Sequence, residues 1–157
     1  GDDGMFMVNS HIAHDCVVGN NVIMTNNAVI GGHVHVGDGA ILGGNSAVHQ
    51  FCHIGRKAMI GGMSGVERDV IPFGIVTGDR GRLRGLNVIG LKRSGVDEHT
   101  VKSVTRAFMY IFKGKEDTFD IRVEKAREKF ADNPMVMEQL DFIAESLHGR
   151  RKIMTAE

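Results

Sequence analysis

A histidine beside a carboxylate is the smallest side-chain set for general-base chemistry, and His14–Asp15 is such a pair. An ordinary imidazole titrates near pH ~6.5, and an acceptor on one ring nitrogen fixes the tautomer and stabilises the imidazolium that forms when the other takes a proton. No serine, and neither Cys16 nor Cys52, is placed as an obvious covalent nucleophile. The pair therefore suits direct attack by an acceptor hydroxyl on an acyl donor. Such an attack also needs a donor for the developing oxyanion, which the backbone N–H of a neighbouring glycine can supply.

The elements that must hold these groups follow from a period of six. Stepping from Phe6 meets Ile12, Val18, Met24, Ile30, Val36, Leu42, Val48, Ile54, Ile60 and Val66 without one polar residue. At the chain's 42% apolar content, such a run arises by chance on the order of once in ten thousand frames. Two residues before each aliphatic the side chain is small, as at Ser10, Cys16, Ala28, Ala40, Ser46, Cys52, Ala58 and Ser64, or slightly larger at Val22 and Val34. The residue after it is often glycine, at Gly19, Gly31, Gly37, Gly43, Gly55 and Gly61, which reads as the permissive backbone of a corner. A helix would need a period near 3.6 and a flat strand a period of 2. Short strands joined by sharp corners satisfy six, three of them making a triangular coil of about eighteen residues, the parallel β-helix of hexapeptide repeats.

That geometry gathers the polar residues. Counted modulo eighteen, His49 falls at 13, His14 at 14, and Asp15 and His33 at 15, so the four lie on neighbouring columns of one corner. Gln50 shares the column of His14 two coils away, and Gly32 is the residue between them. The glycine leaves space inside a bulky polar cluster and offers its N–H for an oxyanion. His11 lies beside the cluster, whereas His35 and His53 stack on a separate column and read as surface.

Composition narrows the class. Nineteen basic against nineteen acidic residues leave no net charge, so the chain has no nucleic-acid footprint. The apolar runs are far shorter than the roughly 20 residues of a membrane span, which excludes stable membrane insertion. Two cysteines are too few to staple 157 residues, and free thiols fit a reducing, cytoplasmic setting. The repeat already runs at Gly4 and Phe6; because a solenoid end normally carries a cap, further coils are expected ahead of it.

The chain divides into β-helix coils over 1–70, an irregular connector over 71–96 and a helical domain over 97–157. The connector carries Pro72, repeated glycines and the basic run from Asp79 to Arg84. Asp97 caps a helix running to about Lys113, with Gly114 closing it; a second spans about Thr118 to Ala131, and a third begins near Pro134. Residues from about Arg150 read as frayed. The flat, weakly charged faces of the coils predict a homotrimer with clefts between copies.

The repeat resembles the hexapeptide-repeat acyltransferases, whose coils wind left-handed against the usual crossover rule. More specifically, SHIAHDC (Ser10 to Cys16), GGHVHVG (Gly31 to Gly37), AVHQFCHIG (Ala47 to Gly55) and GLNVIGLKRSG (Gly85 to Gly95) closely match the UDP-N-acetylglucosamine 3-O-acyltransferase family of lipid A biosynthesis. The resemblance implies transfer of a (3-hydroxy)acyl group from acyl carrier protein to the 3-hydroxyl of UDP-N-acetylglucosamine. It implies His14 as the base, Asp15 as its orienting or substrate-binding neighbour and Gly32 as the N–H donor. His11, His33 and His49 would line the cleft, Gln50, Asn87 and Arg93 would contact the sugar nucleotide, and Gly62 would sit where a side chain blocks the far end of the acyl groove. Ile89 and Ser94 depart from the glutamate and arginine that many relatives carry in the nucleotide-binding segment.

No metal or other cofactor is implied. Other readings are the related N-acyltransferase of the same pathway, disfavoured by LNVIGLKRSG; a γ-type carbonic anhydrase holding zinc on three histidines; and an inactive structural trimer. Arg80, Arg82 and Arg84, with Arg56 and Lys57, are candidates for docking the acidic acyl carrier protein.

Overall fold

The structure is a computed structural model that describes residues 1–149 and 151–156. Its first half turns the six-residue period into two-residue strands: β1 Met5–Phe6, β2 His11–Ile12, β3 Val17–Val18, β4 Ile23–Met24, β5 Val29–Ile30, β6 His35–Val36, β7 Ile41–Leu42, β8 Ala47–Val48, β9 His53–Ile54, β10 Met59–Ile60 and β11 Gly65–Val66. Every third strand pairs in parallel, eighteen residues apart, as in Met5↔Ile23, His11↔Val29 and Val17↔His35. Three sheets result, with orders β1-β4-β7-β10, β2-β5-β8-β11 and β3-β6-β9. This is the parallel β-helix that the period predicts.

The two inward columns are those read from the sequence. Met24, Leu42 and Ile60 are fully buried, as are the small residues Ala28, Ala40 and Ala58 two positions ahead of an aliphatic. Each buried aliphatic contributes roughly 1.5–3 kcal/mol relative to exposure. Phe6 and Ile12 occupy the same inward column in the first coil and, packed from one side alone, are 49% and 39% exposed.

The glycines after the aliphatics do a different job from the one expected. The left-handed backbone of the corners falls two residues later, at Asn9, Asp15, Asn21, Asn27, His33, Asn45, Phe51, Lys57 and Met63, with glycine only at Gly39. Gly31, Gly37, Gly43 and Gly55 instead have the next coil against them: an added Cβ would lie 2.3–2.8 Å from backbone nitrogen of Gln50, Arg56, Gly62 or Pro72. Close approach between coils, not backbone freedom, selects glycine there.

The segment read as an irregular connector is ordered. The repeat skips two residues: Val70 bridges Ile54, and Val76 pairs with Ile60, sixteen residues apart instead of eighteen. Both valines are fully buried, so one more coil is completed after Val66. Strand β12 Gly74–Thr77 then turns back into antiparallel β13 Arg82–Leu86, and a short helix α1 Val88–Arg93 follows.

Helix α2 Glu98–Phe108 starts where the Asp97 carboxylate accepts the Thr100 N–H at 2.9 Å, and it passes into a π-helical turn over Met109–Lys113 before Gly114. Helix α3 spans Phe119–Lys129. Helix α4, Pro134–His148, is capped by Asn133, whose side chain accepts from Met135 and Val136. Arg56 ties α4 to the coils through a two-pronged contact with Glu138 at 2.9 and 2.7 Å.

The end of the chain corrects the expectation of fraying. Arg150 lies outside the described residues, but Ile153 and Met154 are buried and pair along Asp69. The Asp69 carboxylate, 1% exposed, accepts from the His53 N–H, the Ser146 hydroxyl and Arg151 Nε. A buried carboxylate with three donors is satisfied, and it latches the tail to the coils.

Candidate active site

Three stacked corners build the site. The β2–β3 corner carries His14 and Asp15, the β5–β6 corner Gly32 and His33, and the β8–β9 corner His49, Gln50 and Phe51. Backbone bonds fix their stacking, with the His33 N–H donating to His14 C=O and the Phe51 N–H to Gly32 C=O, both at 3.0 Å. Asp15, His33 and Phe51 form one column, all left-handed at φ 58°, 59° and 67°. The corner turns all three side chains outward.

His14 Nδ1 lies 2.9 Å from Asp15 Oδ2, and His33 Nε2 lies 3.8 Å from the same oxygen. The hydrogen bond from His14, and then the nearby His33, hold the Asp15 carboxyl below the usual carboxylate range. With Nδ1 engaged, Nε2 of His14 is the nitrogen left to take a proton from a substrate. It faces Gly32: a Cβ built there would lie 2.6 Å from His14 Cε1 and 2.7 Å from Nε2. Gly32 is thus the one residue type that lets the imidazole lie over the corner. Among the described residues, no partner within the chain takes the Gly32 N–H.

The remaining sequence candidates divide by location. His49 and Gln50 sit on the same corner one coil on, both exposed, with His49 Nδ1 3.1 Å from the Gln50 carbonyl. His11 is exposed at the start of β2, next to the cluster. Gly62 lies on another corner, between β10 and β11, where a Cβ would sit 3.3 Å from the Gly44 carbonyl. Asn87 and exposed Arg93 line an open groove of about 790 Å³ with Ile41, Met59, Ile75 and Ile89, on the β1-β4-β7-β10 sheet. One chain does not bring Gly62, Asn87 or Arg93 to His14.

Asn87 is also less available than expected. Its Oδ1 accepts the Gly90 N–H and its Nδ2 donates to the Lys57 carbonyl, so it caps α1 and ties that helix to the coils. His35 and His53 stack on their separate column, rings 4.4 Å apart and 6° from parallel. Phe51 is the residue that sequence reasoning missed: its ring stacks on His33 at 5.0 Å and 11°. The eighteen-residue column of Asp15 and His33 already pointed to it.

Donor atoms of His14, Asp15 and His33 lie within 4.8 Å of one another, an arrangement that could hold a metal ion. The imidazole–carboxylate–imidazole set is chemically suited to a divalent ion such as zinc.

The family model described as UDP N-acetylglucosamine O-acyltransferase, domain 2, matches residues 69–154. An acyl-[acyl-carrier-protein]--UDP-N-acetylglucosamine O-acyltransferase of Caulobacter vibrioides is 57% identical over 143 residues, which are 91% of this chain and 54% of the relative. That of Rhizobium etli is 50% identical over 146 residues, 92% of this chain and 53% of its own. Among solved structures, the UDP-N-acetylglucosamine acyltransferase of Campylobacter jejuni superposes with a TM-score of 0.90 at 34% identity, covering all of this chain and 59% of that one. The Arabidopsis enzyme gives 0.89 at 39% identity, covering 93% and 52%. The chain spans about half the length of the curated relatives it matches. With more than half of its residues matched by the family model, and the β-helix with its helical tail shared by the solved relatives, the chain belongs to the UDP-N-acetylglucosamine O-acyltransferase family.

Proposed function

We propose that the polypeptide carrying this chain transfers a (3-hydroxy)acyl group from acyl carrier protein to the 3-hydroxyl of UDP-N-acetylglucosamine, the first step of lipid A biosynthesis. The observation that carries the reading is the orientation of His14, with Nδ1 on Asp15 and Nε2 over Gly32. His14 Nε2 takes the proton as the sugar oxygen attacks the thioester carbonyl. Negative charge gathers on the carbonyl oxygen, where the Gly32 N–H receives it. Collapse of the tetrahedral intermediate breaks the carbon–sulfur bond, and the imidazolium returns its proton to the leaving thiolate. Asp15 holds the tautomer and stabilises the imidazolium through both steps.

The substrate cleft lies between copies in a homotrimer. This is supported by the separation of Arg93 and Gly62 from His14 within one chain, and by Met5 and Met59, apolar yet 52% and 37% exposed on the sheet that floors the groove lined by Arg93. His11, His33, His49 and Gln50 line the cleft from the corner, Arg93 contacts the nucleotide and Asn87 acts by holding α1. Gly62 leaves the acyl groove open at its end. Arg80, Arg82 and Arg84, all exposed, dock the acidic carrier together with Lys57 and Arg56, the latter also paired with Glu138. Among the described residues no helix is long and apolar enough to cross a membrane, and the free thiols Cys16 and Cys52 suit work in the cytoplasm.

The metal-compatible spacing of His14, Asp15 and His33 favours one second reading, a zinc hydratase. Incubating the complete polypeptide with acylated carrier protein and UDP-N-acetylglucosamine, followed by mass spectrometry, should yield the mono-acylated sugar nucleotide without added metal. Carbon dioxide hydration that depends on zinc, with no acylated product, would reverse the choice.

A further inference from the structure

Phe51 sits at a corner position whose backbone is left-handed in coil after coil of this fold. The corner columns hold Asp15 and His33 with Phe51, Asn27 and Asn45 with Met63, and Asn21 and Gly39 with Lys57. Large side chains recur at such corners, Phe73 among them, so the backbone alone does not single Phe51 out; the placement of its ring does. Core packing does not account for it, because Phe51 is 54% exposed.

The ring instead faces one neighbour. It lies nearly parallel to His33, with centroids 5.0 Å apart and planes 11° from parallel. His33 in turn meets the His14 ring edge-on, at 5.1 Å and 88°, and points Nε2 to within 3.8 Å of the Asp15 oxygen that binds His14. A run of contacts therefore leads from Phe51 through His33 to Asp15 and His14. Each side chain in it is substantially exposed, His33 at 44% and His14 at 73%, so little else locks their rotamers. A stacked aromatic face is a flat support that restricts an imidazole to one plane.

We infer that Phe51 is a positioning residue: its ring fixes the plane of His33, which with Asp15 sets the orientation of His14. The inference rests on the acyl-transfer reading of His14 given above. Phe51 does not touch the reacting atoms in this assignment, and its effect appears in kcat, not in substrate affinity.

Phe51→Asn is the informative variant. Asparagine suits the left-handed corner, as Asn27 and Asn45 show, so the coil keeps its shape while the ring is lost. In the complete polypeptide, kcat should fall roughly tenfold with KM for the sugar nucleotide within about twofold of the parent. Phe51→Tyr, which keeps the ring, should restore the parent rate. By NMR, the His33 ring protons should lose their ring-current shift in Phe51→Asn while those of His35 and His53 stay in place. An unchanged kcat, failure of tyrosine to rescue, a raised KM at parental kcat, or unmoved His33 signals would each overturn the inference. If the parent itself makes no acylated sugar nucleotide, the acyl-transfer reading falls, and the His33 signals alone then decide whether Phe51 positions that ring.

Discussion

Replacing Gly32 with alanine isolates the geometry around His14 from every other property of the corner. The added methyl would lie 2.6 Å from His14 Cε1 and 2.7 Å from Nε2, whereas a carbon–carbon contact settles near 3.5 Å. The imidazole must therefore retreat by roughly 0.9 Å. The Nδ1–Asp15 bond is 2.9 Å long, and a shift of that size carries it to or past the limit of about 3.5 Å unless Asp15 follows. Misplacement on the scale of 1 Å costs about 10²-fold in rate, or roughly 2.7 kcal/mol of transition-state stabilisation. Stability should respond differently. The ring that moves is 73% exposed, and Gly32 does not use left-handed backbone. Alanine should thus leave unfolding unchanged or raise stability by up to about 0.5 kcal/mol through the unfolded chain. The backbone N–H survives the substitution, so the loss reports space for His14 and not loss of the oxyanion donor. Steady-state kinetics and thermal unfolding on the same preparation test both halves. Parental kcat, or a rate loss that tracks a lowered Tm, would refute the reasoning.

Further outcomes follow from the latch, the histidine stack and the exposed sheets. Asp69→Ala leaves Arg151, Ser146 and the His53 N–H without their acceptor, and should cost roughly 3 kcal/mol with faster amide exchange over 151–156; exchange and Tm at parental values would count against the latch. Burial first, and then Arg151, hold the His53 imidazole below its ordinary value of 6.5. The unfolded chain therefore binds the extra proton first, and this contribution to stability is present above pH 6.5 and is lost as pH falls below it toward the lower folded value. His53→Gln should flatten the drop in Tm across that window, and an undiminished slope would assign the drop elsewhere. Light scattering of the 17.1 kDa chain should give about three times that mass if the apolar sheets pack on copies of themselves, and a clean monomer would contradict the proposed cleft.

The coil was legible because its period is carried by the same atoms that form the core. Leu42 and Ile60 are aliphatic for the reason that they are inward, so spacing alone locates them. The polar corner was legible for the same reason: once eighteen residues make a turn, His14, Asp15 and His33 must be neighbours. What spacing could not convey was the exception at Val70, where a step of four replaces six and the pattern from Val66 to Val76 looks broken although the coil continues. Ile153 and Met154 were hidden because their burial depends on Asp69, a contact that spans most of the chain. The corner glycines were recognised for the wrong reason, since a sequence does not distinguish a glycine needed for its φ from one needed for another strand's backbone. Phe51 went unread because aromatic side chains suggest a core, and only its column places it against His33.

The central claim, that His14 is the general base, is tested most directly by His14→Ala in the complete polypeptide. The rate constant kcat should fall by roughly 10²–10⁴-fold with the unfolding transition unchanged, while His35→Ala, from the separate stack, should keep near-parental turnover. Near-parental kcat in His14→Ala would contradict the mechanism, even with the family membership intact.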